Sequence, residues 1–295
     1  MLKMPTVFVV GAGASYPYGL PLGVDLIRQG KQLTHELMPA LVEVSEQSGS
    51  DVAAFCRRLE RYPGDSIDRF LENNTDLRDL GHLLIAILMG RAIDRLSREN
   101  IKQTPGEDWM MRVFSAMARG TRNAAEFHES AQQVCFVTFN FDSLIESRAR
   151  TVLPRFWVPD NSEAPTLDVI HVHGRLPEPV SLDRASPWMS KAAKAVKVIH
   201  DELDHGVVEA AQNRIRAAKV VCFLGFDYAP ENLKTLGVPD VIRSPDSLFG
   251  SAKNLSAGKV AEVRRLFGVY HARLNLAHDS FNNLQTLDQF DVLRT

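Results

Sequence analysis

The sequence is short of cysteine: Cys56, Cys135 and Cys222 are the only three in 295 residues, and no two stand in a C-x-x-C pair. That rules out a four-cysteine zinc module and a disulfide scaffold. Cys135 and Cys222 lie inside apolar, β-rich runs and read as small buried hydrophobes. Long hydrophobic runs are also missing. The longest, Leu83-Leu84-Ile85-Ala86-Ile87-Leu88-Met89, falls far short of the roughly 20 residues a membrane span needs, and reads as a buried helix. The first apolar run, Val7 to Val10, is too short for a secretory signal and ends at glycine. With the sparse cysteines, this sets the expectation of a cytoplasmic chain. Charge of one sign is lacking too. A net charge of −2 gives no reason to expect a nucleic-acid or anionic-membrane partner.

What is present is an ordinary globular composition, 45% apolar and 24% charged. Thr6-Val7-Phe8-Val9-Val10, Val134-Cys135-Phe136-Val137-Thr138, Val169-Ile170-His171-Val172 and Val220-Val221-Cys222-Phe223-Leu224 are strand-like, with Val269-Tyr270-His271 as a short last strand. Helical patterns run from Val24 to Met38, from Ile67 to Leu71 after the cap Asp65-Ser66, from the Asn73-Asn74-Thr75-Asp76 cluster to Arg98, and from Asp108 to Arg119. Others cover Pro187 to Ala218 and Lys259 to Phe267, and the tail after Asp279 is polar and weakly patterned. Short β-rich runs separated by helices predict an α/β fold, a Rossmann-like parallel sheet flanked by helices. Residues 40–130 carry no strand pattern and read as a helical insertion subdomain; residues 1–39 and 131–295 then form the Rossmann-like domain.

Four polar motifs each follow a strand, where open parallel sheets bind ligands. Gly11-Ala12-Gly13-Ala14-Ser15 suits a phosphate-cradling loop, since glycines let backbone approach an anion closely; a plain strand-to-helix turn is the other reading. The dehydrogenase fingerprint wants a third glycine where Tyr16 stands, and an acidic residue after a prompt second strand; both are missing, which disfavours hydride transfer. Thr138-Phe139-Asn140-Phe141-Asp142 offers a donor and acceptors at a strand end, with Asp142 open to a second reading as a helix cap. In His171-Val172-His173-Gly174, alternation places both histidines on one side of an extended strand. His173, next to the glycine, is the candidate for catalysis; a metal pair lacks a third ligand, so no metal site is assigned. Gly225 in Leu224-Gly225-Phe226-Asp227 permits close approach by a ligand, or serves as an ordinary turn.

In this order the four motifs resemble those of the sirtuins, which carry a G-A-G-x-S loop, a T-x-N-x-D segment, a catalytic H-G pair and a late strand ending in glycine. The closer resemblance is to the divergent bacterial sirtuin-like domains. These share G-x-P with a downstream leucine (Gly19-Leu20-Pro21 and Leu26), S-x-D-x-F-L (Ser66-Ile67-Asp68-Arg69-Phe70-Leu71) and a glutamate after N-Y-D (Glu146, with Phe141 in place of tyrosine). The resemblance implies Asn140, Asp142 and His173 as catalytic residues. It implies Gly11, Ala12, Gly13, Ala14, Ser15, Gly225 and Phe226 as NAD-binding residues, with NAD as substrate. Two departures from protein-deacylating sirtuins matter. The zinc-binding cysteine pairs are absent, so no zinc is expected, and Leu22-Gly23-Val24-Asp25 replaces a D-F-R segment. The resemblance therefore implies an NAD glycohydrolase of bacterial antiphage defence, with a homo-oligomer and an ATPase or nuclease partner in prospect. Protein deacylation, ADP-ribosyl transfer and non-catalytic sensing of NAD or ADP-ribose stay open as alternatives.

Overall fold

A computed structural model describes residues 4–99, 106–157, 166–183, 187–198, 201–242, 247–268 and 274–293. Strands β1 (Thr6–Val10), β2 (Val134–Thr138), β3 (Asp168–His171), β4 (Val220–Leu224), β5 (Ser247–Gly250) and β6 (Asn275–Leu276) form one parallel sheet in the order β3-β2-β1-β4-β5-β6. β1, β2 and β4 are buried at every residue, as their unbroken β-branched and aromatic runs dictate for strands covered on both faces. Alternation sends Phe8, Val10, Phe136 and Cys222 to one face and Val7, Val9, Val137 and Phe223 to the other. The α/β class with a Rossmann-like parallel sheet flanked by helices is thus the observed architecture.

The helices, in chain order, are α1 (Ala12–Ser15), α2 (Gly23–Val44), α3 (Gly49–Arg61), α4 (Ile67–Glu72), α5 (Arg78–Glu99), α6 (Trp109–Ala118), α7 (Ala124–Ala131) and α8 (Leu144–Val152). They continue with α9 (Trp188–Ala195), α10 (His205–Ala217), α11 (Pro230–Thr235), α12 (Ala257–Gly268) and α13 (Asn283–Gln289). One face of the sheet packs on α6, α7, α8 and α13, the other on α10, α11 and α12. A separate apolar core unites α2, α3, α4 and α5 with α9, and Leu83 to Met89 lie wholly inside it. Helix α2 therefore shares its core with the helical unit, whereas α6 and α7 share theirs with the sheet. Among the described residues no helix is long and apolar enough to cross a membrane.

The sequence pattern misled in three places. The continuous helix expected over 187–218 is two helices. The Asp201 carboxylate takes the Val198 N–H at 2.7 Å, and Asp204 caps α10 through Gly206 and Val207, so local side-chain bonds replace helical ones. The polar tail contains α13, started by a reciprocal Asn282–Gln285 capping box. β5 was not foreseen. The strand expected at Val269-Tyr270-His271 lies outside the described residues, and β6 follows it.

Because β1 has β2 on one side and β4 on the other, the connections leave in opposite directions. The carboxyl ends of β1 and β4 are therefore the topological switch point, where open α/β sheets carry their ligand crevice.

Candidate active site

The glycine loop closes the end of β1 and is pressed against the exit of β4. Gly11 N–H donates to Leu224 O and Gly13 N–H to Gly225 O, both at 3.0 Å. A Cβ on Gly11 would stand 2.6 Å from Gly225 O, and one on Gly13 2.9 Å from the same atom. Gly225 has φ +56°, the left-handed region that glycine tolerates. These glycines are demanded first by backbone packing against backbone. Ala14 N–H also stays within the loop, donating to Gly11 O at 2.9 Å, and Ala12 is exposed at the rim.

Side chains from distant segments hold the loop's carbonyls. Trp109 Nε1 donates to Ala14 O at 2.8 Å and Asn283 Nδ2 to Gly13 O at 3.2 Å. Neither residue was foreseen as part of the site. The capping box around Asn282 was the one local signal near Asn283, and Trp109 had none. Asn140 Nδ2 reaches Gly11 O at 3.2 Å and Ser15 Oγ at 2.9 Å. The Asn140 N–H donates to Thr138 Oγ1 at 3.1 Å, so the residue is fixed at backbone and side chain alike. Its Oδ1 is the amide atom left to accept a further hydrogen bond.

Asp142 is buried. Its Oδ1 accepts the Leu144 N–H at 3.0 Å, starting α8, and lies 3.5 Å from Ser15 Oγ. Asp142 thus stands one place before the α8 N-cap, Ser143, and within reach of the glycine loop. Burial pushes its carboxyl above the usual range, against the Leu144 hydrogen bond and the charge of His171.

The chain leaves β3 at His171 and turns through Gly174 (φ +81°), where a Cβ would meet Ala195 O at 2.0 Å. The two histidines consequently take different partners. His171 turns to Glu146, while the buried His173 stands edge-on to Phe139, ring centroids 4.9 Å apart. Phe139 also packs on Phe226 at 5.4 Å, and Phe226 turns its ring into the core with Phe223 and Tyr228. Its backbone is what faces the glycine loop. All four motifs are thereby joined by direct contacts.

Burial pushes His173 down to about 4, with the Asp201 charge opposing, so the ring is neutral at pH 7 instead of poised near its ordinary 6.5. Between those values the unfolded chain takes up a proton that the folded chain refuses, so stability falls as pH drops through this window. The loss by pH 4.5 is about 2–3 kcal/mol. Denaturant unfolding of wild type and His173→Gln at pH 7 and pH 4.5 is expected to show that this much of the acid loss vanishes in the variant. An identical loss in both proteins contradicts the assignment.

No protein-family model matches the chain, and no curated protein sequence matches it either. Among solved structures it is similar to a Sir2 homologue crystallised in complex with NAD, with a TM-score of 0.50 and 13% identity over 99% of this chain and 90% of that one. A mutant Sir2 homologue in complex with 2′-O-acetyl-ADP-ribose gives a TM-score of 0.49 at 13% identity, over 98% of this chain and 90% of its own. At such identity the likeness is one of fold, and it spans nearly the whole chain: the fold is sirtuin-like.

Proposed function

We propose that this chain is an NAD glycohydrolase, converting NAD and water to nicotinamide, ADP-ribose and a proton. The observation that carries the reading is one arrangement at the switch point of a sirtuin-like sheet. There the glycine loop, an Asn140 amide with Oδ1 free, and a buried neutral His173 are joined through Ser15 and Phe139. The Sir2 homologue of similar fold was crystallised with NAD, which supports NAD as the ligand of this crevice.

In the proposed mechanism the loop rim at Ala12 and the chain at Gly225 and Phe226 border the phosphates and ribose. The glycosidic bond to nicotinamide breaks and positive charge develops at the ribose carbon. Asn140 Oδ1 accepts from the attacking water or a ribose hydroxyl and orients it. His173, neutral, accepts the proton the water releases. Ser15, held by Asn140 and Asp142, borders the ribose, and Asp142 keeps the start of α8 in place. The missing cysteine pairs favour water over an acyl-lysine peptide as the second reactant.

The cellular role in this reading is antiphage defence by NAD depletion, in a cytoplasmic homo-oligomer working with an ATPase or nuclease. Its support is the motif resemblance. The enzymatic test is to incubate the purified chain with NAD and quantify nicotinamide for wild type, Asn140→Ala and His173→Ala. Turnover surviving in both folded variants sinks the assignment. Dependence on a peptide or protein acceptor would instead mark a deacylase or ADP-ribosyltransferase, and binding without turnover a sensor.

A further inference from the structure

His171 closes β3 and is 10% exposed at its side chain. Both ring nitrogens face oxygen: Nδ1 lies 3.1 Å from Asn140 O, and Nε2 2.9 Å from Glu146 Oε1. A backbone carbonyl and a carboxylate only accept. A neutral imidazole carries one N–H and one bare nitrogen, so either tautomer would set a lone pair against an oxygen. The arrangement is complete only when the ring carries two N–H groups.

The surroundings suit that state. The titratable and charged groups around the ring are Asp142 before α8, Glu146 on α8 and Arg175 after β3. Burial alone would raise the Glu146 carboxyl. The hydrogen bond and charge of His171, with a hydrogen bond from Arg175, bring it below its ordinary value. Arg175 Nη1 reaches the same Oε1 at 3.1 Å.

We propose that His171, held between Glu146 and the Asn140 carbonyl, is a positioning residue that fixes the Asn140 peptide and so aims the Asn140 amide. This rests on the reading of Asn140 as catalytic. Thr138 holds the Asn140 N–H and His171 its carbonyl. With both ends of the residue fixed, Nδ2 stays on Gly11 and Ser15, and Oδ1 is presented to the crevice.

In His171→Phe the Asn140 side-chain amide is expected to exchange with water about tenfold faster. Unchanged amide exchange overturns the proposal. In NAD turnover, His171→Phe is expected to lower kcat about tenfold with KM within about twofold. His171→Lys, whose ammonium can donate to both oxygens, is expected to restore most of that loss. An effect confined to KM also overturns it. A wild type without turnover would count against the glycohydrolase reading alone, since the amide exchange judges His171 without it.

Discussion

Asn140→Ala is expected to lower NAD cleavage about a hundred- to a thousandfold while the chain stays folded. The change removes the Oδ1 acceptor that orients water or a ribose hydroxyl. It also removes two hydrogen bonds, yet leaves no orphan behind. Gly11 O keeps the Ala14 N–H, and Ser15 Oγ keeps its contact with Asp142. With each lost bond worth about 1 kcal/mol net, the fold loses about 1–2 kcal/mol and survives. His173→Ala is expected to cost a similar factor by removing the proton acceptor. Asn140→Asp separates the roles further. It keeps an acceptor but replaces the Nδ2 donor by an oxygen facing Gly11 O and Ser15 Oγ, beside the buried Asp142. It is expected to be inactive and less stable than Asn140→Ala. Nicotinamide release and circular dichroism on the same preparations check all three, and an active, folded Asn140→Ala contradicts the role given to Asn140.

Gly225→Ala is expected to be severely damaging. Its Cβ would stand 2.0 Å from Ala14 N and 2.2 Å from Gly13 C, both backbone atoms of the loop. The residue also sits at φ +56°, where a side chain adds strain of about 1 kcal/mol or more. Relief requires lifting the loop from β4, which breaks the Gly13-to-Gly225 hydrogen bond and unseats Trp109, Asn283 and Asn140 together. A loss above about 4 kcal/mol is expected, seen as a collapse of the thermal transition or failure to fold. Gly23→Ala is the control: nothing lies within 4 Å of its Cβ, and it opens α2. It is expected to be neutral or slightly stabilising. Equal transitions for the two variants would refute the packing argument.

The central strands were legible because burial on both faces leaves an unbroken apolar signature. β5 was not, since its Ser-Leu-Phe-Gly is short and half-buried, and β6 has only two residues, too few for any period. The break between α9 and α10 was hidden because apolar spacing runs on through it while two aspartates capture backbone N–H groups. The four site motifs could be read because each is local to one strand end. Their joining could not. Asn283 lies 270 residues from its partner Gly13, and Trp109 lies 95 from Ala14. Alternation gave His171 and His173 one orientation, but the strand ends between them and the turn at Gly174 separates their partners. The neutrality of His173 at pH 7 was equally out of reach, since desolvation is a property of packing and no residue pattern encodes it.

The measurement that bears most directly on the proposed function is product analysis of NAD incubated with the purified chain and no acceptor. Nicotinamide and ADP-ribose are expected in equal amounts, and both are expected to vanish in Asn140→Ala and His173→Ala. Nicotinamide release that persists in both folded variants, or that requires an acyl-lysine peptide and yields its deacylated form, would contradict it.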